Sequence, residues 1–135
     1  FDNYGFNCFA DDTGLEIDAL DGEPGVYSAR YAGEDCNSEA NIKKVLKNLH
    51  GIKDRYATFR TVIALVIGGE KTLFEGECKG SITKTKIGLS GFGYDPIFIP
   101  NGYTKTFSEM TKQQKGLISH RGNAVKKLLV FLSTN

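Results

Sequence analysis

Two strand-forming runs beside a glycine pair constrain the fold more than any other feature. The first, Phe59 to Ile67, is rich in β-branched residues, and the second extends from Thr72 to Cys78. Gly68 and Gly69 separate them, and glycines between two such runs are typical of a β-hairpin. Because hairpin strands are antiparallel, the sequence excludes a purely parallel sheet.

Amphipathic patterns predict helices on both sides of this hairpin. Ser38 can cap a first helix whose apolar residues share one face, and Gly51 provides a stop. Ser119 can cap a last helix with apolar residues on one side. These apolar residues are Ile42, Val45, Leu46 and Leu49 in the first helix and Ala124, Val125, Leu128, Leu129 and Leu132 in the last.

Shorter strands are predicted around the hairpin. The apolar run Phe6 to Ala10 predicts a buried strand that ends at Asp11 and Asp12, and the alternation from Leu15 to Ala19 has strand period. A run from Ser81 to Lys86 can extend the sheet, and Ile97 to Ile99 forms a short buried strand.

A middle helix completes the pattern. Thr106 and Glu109 have the spacing of a capping box, which predicts a helix from Phe107 that Gly116 ends. Strands interleaved with three helices predict a single α/β domain over residues 1–135, with a mixed sheet flanked by helices.

Composition limits the classes of function. Net charge is only +1, which argues against a general nucleic-acid binder. No apolar run approaches the roughly 20 residues that span a bilayer, so no membrane segment is expected. The cysteines Cys8, Cys36 and Cys78 are odd in number and have no Cys-x-x-Cys spacing. Reduced thiols in a cytoplasmic protein are therefore expected, without a zinc site.

The charges are unevenly distributed along the chain. Between Asp11 and Glu23 there are six acidic residues and no basic one, whereas six basic residues and the single acidic Glu109 follow Tyr103. This asymmetry favours cation binding by one segment and anion binding by the other. The alternative is that both segments form solvated faces.

Asp11 and Asp12 are candidate metal ligands. Adjacent strand residues point to opposite faces, so one carboxylate is expected to face a site while the other makes structural hydrogen bonds. Mg²⁺ takes one or two protein carboxylates together with substrate phosphates. An ordinary surface pair of aspartates is the alternative.

A glycine-rich segment is the second candidate. Gly91 and Gly93 permit close approach to a ligand, and the ring of Phe92 or Tyr94 can stack on a planar base. The segment is not a dinucleotide fingerprint, because a strand follows it and the third glycine is missing. An ordinary tight loop with its aromatic rings in the core is the alternative.

A basic cluster before the last helix is the third candidate. Lys115 and Arg121 can bind phosphate or carbonyl oxygens, and His120 can donate a hydrogen bond. The first N–H groups of the last helix also favour anions. The alternative is a solvated basic cap.

Three stretches, taken in order, resemble the non-canonical purine nucleoside triphosphate pyrophosphatases, the inosine/xanthosine triphosphatase family. The resemblance implies Mg²⁺-dependent hydrolysis of ITP, dITP or XTP to the monophosphate and pyrophosphate. It also implies an elongated α/β fold with a central nucleotide-binding cleft, and a homodimer. The stretches are Ala10 to Leu20 with its continuation Gly25 to Gly33, then Gly91 to Phe98, and Ser119 to Gly122.

The resemblance also implies individual roles. Asp12 matches the essential carboxylate, a metal ligand and proton acceptor, and Asp11 is its supporting neighbour in the metal site. Thr13 lies where the family more often has a serine beside the phosphates. Phe92 matches the residue that stacks on the base. The remaining residues implied to contact substrate are Gly93, Tyr94, Asp95, Lys115, His120 and Arg121.

The sequence departs from the family pattern at its start. The family's phosphate loop, Ser/Thr-Gly-Asn-x-x-Lys, and its later Glu-Asn pair are both absent. The expectation is a pyrophosphatase domain that lacks its N-terminal phosphate-loop segment. A non-catalytic nucleotide-binding or dimerising fragment is the main alternative. A nucleic-acid-binding domain and a phosphohydrolase of modified pyrimidines are the others.

Overall fold

The computed structural model describes residues 8–34, 36–88 and 93–134, and the side chains of residues 12–34, 36–88 and 93–133. The strands are β1 (Cys8–Ile17), β2 (Pro24–Gly25), β3 (Tyr56–Ile67), β4 (Glu70–Ile82) and β5 (Phe98–Pro100). The helices are α1 (Ser38–Asn48), α2 (Lys112–Ile118) and α3 (His120–Thr134). Single 3₁₀ turns lie at Asp18–Leu20, Ser28–Arg30, Asp95–Ile97 and Phe107–Glu109.

The strands form one sheet in the order β2-β1-β3-β4-β5. The α/β class is confirmed. All four strand pairs in the described part of the chain are antiparallel, so the expected mixture of parallel and antiparallel pairs is not found there. The hairpin is confirmed, because β3 and β4 pair along their length and Gly68 and Gly69 adopt φ values of 55° and 87°. Such positive φ values suit glycine.

Two strands are longer than the sequence pattern predicts. The expected end of the first strand at Asp11 and Asp12 is wrong, because β1 pairs with β3 without interruption from Cys8 to Ile17. Phe6, the expected start of this strand, lies outside the described residues. The run from Ser81 to Lys86 extends the sheet only through Ser81 and Ile82, which belong to the end of β4 and pair with β5.

The main core lies between the sheet and α1. Ile42 and Val45 in α1 and Leu49 at its C-terminal end are buried on one side, as the apolar spacing predicts. The N-cap is Asn37 rather than Ser38, since the Asn37 side chain accepts a hydrogen bond from the Ala40 N–H at 3.1 Å.

The two C-terminal helices differ from expectation in their bounds. The capping box of Thr106 and Glu109 exists, but it begins only a 3₁₀ turn, and α2 starts later behind a second capping box, Thr111 with Gln114. The expected stop at Gly116 is wrong, because this glycine lies within α2. A glycine inside a helix costs only about 1 kcal/mol relative to alanine, which the capping box and packing can offset.

The apolar side of α3 is only partly buried. Ala124 and Leu128 pack against the sheet in a second core cluster, whereas Val125, Leu129 and Leu132 are exposed. Within the described part of the chain, no helix combines the length and the apolar character needed to cross a bilayer.

Candidate active site

A cleft of about 720 Å³ opens beside β1 and β3 and is bordered by α2 and the start of α3. This volume is in the range of small-molecule binding sites, roughly 300–1,000 Å³. Phe92 lies outside the described residues, and only the backbone of Asp11 is described. The predicted site residues that line the cleft are Asp12, Thr13, Gly93, Tyr94, Asp95, Lys115, His120 and Arg121.

Asp12 and Thr13 reach the cleft from β1. In the register with β3, Asp12 is opposite Val62 and Thr13 is opposite Thr61, and the two threonine hydroxyl oxygens lie 2.9 Å apart. Asp12 is exposed, so its carboxylate is accessible to a ligand. The next residue, Gly14, is required by packing, because a Cβ there would lie 2.6 Å from the carbonyl oxygen of Gly25.

A loop held by Ser28 forms the adjoining wall. The Ser28 hydroxyl accepts a hydrogen bond from the Leu15 N–H at 2.9 Å and donates one to the Gly25 carbonyl at 2.6 Å. Asn41 fixes the other side of this loop, because its amide donates to the Ala29 carbonyl and its Oδ1 accepts from the Ala32 N–H. The loop is thereby tied to both β1 and α1.

Tyr94 lines the cleft with a largely buried ring. It is 5% exposed, and its hydroxyl donates a hydrogen bond to the Ser28 carbonyl at 2.6 Å. Burial, with a smaller contribution from the nearby Tyr31, raises the pKa of the Tyr94 hydroxyl above its usual value. Tyr94 therefore acts as a neutral hydrogen-bond donor that joins the glycine-rich segment to the Ser28 loop.

A partly buried ion pair lies at one side of the cleft. The Nζ of Lys115 in α2 is 2.6 Å from Oδ2 of Asp95, which is 3% exposed. The same ammonium group lies 5.4 Å from the centre of the Phe107 ring, within the range of a cation–π contact. Lys115 is thus held by a carboxylate and an aromatic face while it still lines the cleft.

His120 is the first residue of α3 and is buried within a group of aromatic rings. Its imidazole stacks on Phe59 and is tilted against Phe107. Burial, followed by the positive charges of Lys115 and Arg121, lowers the pKa of His120 to about 4. His120 is therefore neutral near pH 7, with one nitrogen as donor and the other as acceptor.

Several residues of the cleft were not predicted from the sequence. Phe59, Phe107, Met110 and Lys112 all line it. The polar residue Asn41 on the buried side of α1 is a signal that was available, because a buried amide needs partners. Phe59 gave no such indication, because a phenylalanine at an inward-facing position of an alternating strand is ordinarily predicted to be a core residue.

The described side chains of the cleft supply some, but not all, of the ligands that a hard cation such as Mg²⁺ needs. Among the described side chains, no three carboxylate, histidine or cysteine groups lie together as a complete metal site. Mg²⁺ does not require such a cage, because it binds through one or two carboxylates plus phosphate oxygens and waters. The exposed carboxylate of Asp12 beside the Thr13 hydroxyl fits that partial requirement.

Comparison with known proteins gives consistent matches. The chain matches the Ham1 family over residues 1–131. A protein of Christiangramia forsetii named dITP/XTP pyrophosphatase is 56% identical over 131 residues, which are 97% of this chain and 69% of that protein. A protein of the same name from Porphyromonas gingivalis is 54% identical over 130 residues, or 96% of this chain and 67% of that protein.

Solved structures agree with these matches. The Ham1 protein of Staphylococcus aureus superimposes with a TM-score of 0.91 at 50% identity, covering 93% of this chain and 66% of that one. A HAM1 protein from Coxiella burnetii gives a TM-score of 0.89 at 40% identity, covering 94% of this chain and 67% of that one. The chain thus spans about two-thirds of the length of the relatives it matches. Since the family match covers nearly the whole chain, the chain belongs to the Ham1 family.

Proposed function

We propose that the cleft binds a purine nucleoside triphosphate with a 6-oxo base, such as ITP, dITP or XTP, and that Mg²⁺-dependent hydrolysis there gives the monophosphate and pyrophosphate. Relatives more than 50% identical are named dITP/XTP pyrophosphatase, and this chain is a nucleoside triphosphate pyrophosphatase of the same kind. The observation that carries the assignment of the site is that Asp12 and the group Lys115, His120 and Arg121 line one cleft.

Asp12 is the proposed catalytic residue. Its exposed carboxylate can accept a proton from a water molecule and direct that water towards the α-phosphate. Asp12 is also the proposed holder of Mg²⁺ together with the phosphate oxygens, and Asp11 is its proposed supporting neighbour. When bound, the ion offsets the charge that accumulates on the phosphate oxygens. The Thr13 hydroxyl, which is hydrogen-bonded to Thr61, is proposed to lie beside the phosphates.

The cationic group is proposed to select the base. A 6-oxo group accepts hydrogen bonds, whereas the 6-amino group of adenine donates them. Lys115 and Arg121 carry only donors, and the neutral imidazole of His120 carries one. A 6-oxo group can therefore accept hydrogen bonds from these residues, whereas the 6-amino group of adenine meets only donors at Lys115 and Arg121.

Further parts of the proposal follow only from the resemblance of the sequence to the inosine/xanthosine triphosphatase family. Phe92 is proposed to stack on the base, within the run that continues through Gly93, Tyr94 and Asp95. A homodimer and a cytoplasmic location are also proposed. Sedimentation equilibrium of the purified protein tests the dimer directly.

The central test is pyrophosphate release from ITP, dITP, XTP and ATP, each with and without Mg²⁺. We expect release from ITP to depend on Mg²⁺ and to exceed release from ATP. Binding of ITP without pyrophosphate release would instead support the alternative of a non-catalytic nucleotide-binding fragment. Equal rates for ITP and ATP would contradict the proposed base selection.

Asp12→Asn tests the catalytic role. Turnover of ITP should fall by about 100-fold or more, since general-base contributions reach that size. Asp18→Asn is the matched control, because Asp18 is an exposed aspartate of the same segment that does not line the cleft. Normal turnover by Asp12→Asn would refute the assignment.

A further inference from the structure

The ring of Phe59 lies nearly parallel to the imidazole of His120. The ring centroids are 4.6 Å apart and the planes differ by 16°. Phe59 is 5% exposed and His120 is 7% exposed, so the contact is removed from solvent. Phe59 belongs to β3 and His120 begins α3, which means that this contact joins the sheet to the start of the last helix.

Among the residues that the structure describes, none forms a hydrogen bond that fixes the imidazole at Nδ1. This nitrogen is buried and has no hydrogen-bond partner in the described part of the chain. In many sites a hydrogen bond from one imidazole nitrogen sets the orientation of the ring. Here the ring contacts take that place: Phe59 stacks on the imidazole, and Phe107 lies at 6.2 Å with a tilt of 38°.

We propose that Phe59 is a positioning residue, which sets the plane of the His120 imidazole and so directs its N–H into the cleft. The N–H bond and the nitrogen lone pair of an imidazole lie in the plane of the ring. A stack that fixes this plane therefore fixes the directions in which His120 can form hydrogen bonds. The inference rests on the proposed function, in which His120 contacts the 6-oxo edge of the base.

Phe59 also shields His120 from water. The charged groups that act on the imidazole are Lys115 in α2, which is paired with Asp95, and Arg121 in α3. Burial, followed by the two cations, disfavours the protonated form of His120 and lowers its pKa. Removal of the Phe59 ring admits water beside the imidazole, so the pKa of His120 should rise from about 4 towards 6.5.

Phe59→Leu tests the proposal, with Phe74→Leu as its matched control. Phe74 is also a buried phenylalanine, but it packs against Phe131 in the second core cluster. We expect Phe59→Leu to raise the KM for ITP by about five- to tenfold, the size of one hydrogen bond that His120 no longer directs at the substrate, with kcat changed by about twofold or less. Phe74→Leu should leave both values near those of the wild type. Equal increases in KM in the two variants would overturn the proposal.

Two further variants separate positioning from packing. Phe59→Tyr keeps the ring and should keep the KM for ITP within about twofold of the wild-type value. In a His120→Gln background, Phe59→Leu should cause no additional change in KM, because a residue that acts through His120 has no effect once His120 is gone. A full additional increase in that background would overturn the proposal.

An NMR titration of the His120 imidazole tests the contact without substrate. The titration midpoint should rise in Phe59→Leu and remain unchanged in Phe74→Leu. An unchanged midpoint in Phe59→Leu would overturn the proposal even if ITP is hydrolysed. Conversely, a wild-type protein that fails to hydrolyse ITP would contradict the proposed function, while the titration would still decide whether Phe59 holds the ring.

Discussion

The ammonium group of Lys115 lies 2.6 Å from the carboxylate of Asp95, and this pair joins α2 to the turn that follows the glycine-rich segment. The Asp95 side chain is almost fully buried, whereas that of Lys115 is 23% exposed. Removal of one partner of a buried ion pair costs more than the loss of a surface pair, because the remaining charge stays desolvated.

Lys115→Met should therefore destabilise the protein by about 2 kcal/mol or more. Lys112→Met is the matched control, since Lys112 is an exposed lysine of the same helix that also lines the cleft. Urea unfolding of both variants measures the difference in the free energy of unfolding. Equal stabilities would show that the Lys115–Asp95 pair contributes no more than a surface pair.

Burial of His120 makes stability depend on pH. Its pKa is lowered from 6.5 to about 4 in the folded protein, first by burial and then by Lys115 and Arg121. Above pH 6.5 the imidazole is neutral in both states and contributes no pH dependence. Between pH 6.5 and 4 only the unfolded chain takes up the proton, so stability falls as the pH is lowered.

Through His120, the free energy of unfolding should fall by about 2 kcal/mol between pH 7 and pH 5. Urea unfolding at the two pH values measures it. His120→Gln should lose this part of the pH dependence, whereas His50→Gln, which alters an exposed histidine outside the cleft, should retain it. The same pH dependence in all three proteins would contradict the assignment to His120.

Replacement of either of two glycines near the site by alanine should change the stability of the protein, but in opposite directions. A Cβ on Gly76 of β4 would lie 2.2 Å from backbone atoms of both His120 and Ala124, so Gly76→Ala must displace the start of α3. Gly116 lies within α2, and a Cβ there would meet no atom within 4 Å.

Gly76→Ala should destabilise the protein by about 1–3 kcal/mol and weaken ITP binding, because His120 moves with α3. Gly116→Ala should stabilise it by up to about 1 kcal/mol through helix propensity. Thermal unfolding of both variants shows whether each one is destabilised or stabilised as expected. A stable Gly76→Ala variant would mean that α3 does not contact β4 as closely as the geometry requires.

Features that depend on residues close together in the sequence were predicted correctly, whereas features that depend on contacts between distant residues were not. The β3–β4 hairpin was predicted because its strands and its glycine turn are contiguous in sequence. The continuation of β1 through Asp11 and Asp12 was not, because aspartate and glycine disfavour strands and only pairing with β3 overrides this preference. In the site, residues within recognisable motifs were found, whereas Phe59 was missed because its contact with His120 joins distant parts of the chain.

A last test asks whether the Tyr94 hydroxyl stabilises the fold around the site or contacts the substrate directly. Its hydroxyl donates to the Ser28 carbonyl, and that carbonyl also accepts a bond from Asn41 at 3.3 Å. Tyr94→Phe keeps the ring but removes the donor, so the carbonyl retains one partner and the loss should be about 1 kcal/mol in the free energy of unfolding. Tyr27→Phe, at a tyrosine that is 70% exposed, should change stability by less than about 0.5 kcal/mol.

The KM for ITP should change by about twofold or less in Tyr94→Phe, because the hydroxyl is engaged with the Ser28 loop rather than directed at the base. Steady-state kinetics on the two tyrosine variants and unfolding of the same samples check both parts. A large increase in KM with unchanged stability would place the Tyr94 hydroxyl among the groups that contact substrate. A loss of stability with KM preserved would establish Tyr94 as the link that holds the glycine-rich segment against the Ser28 loop.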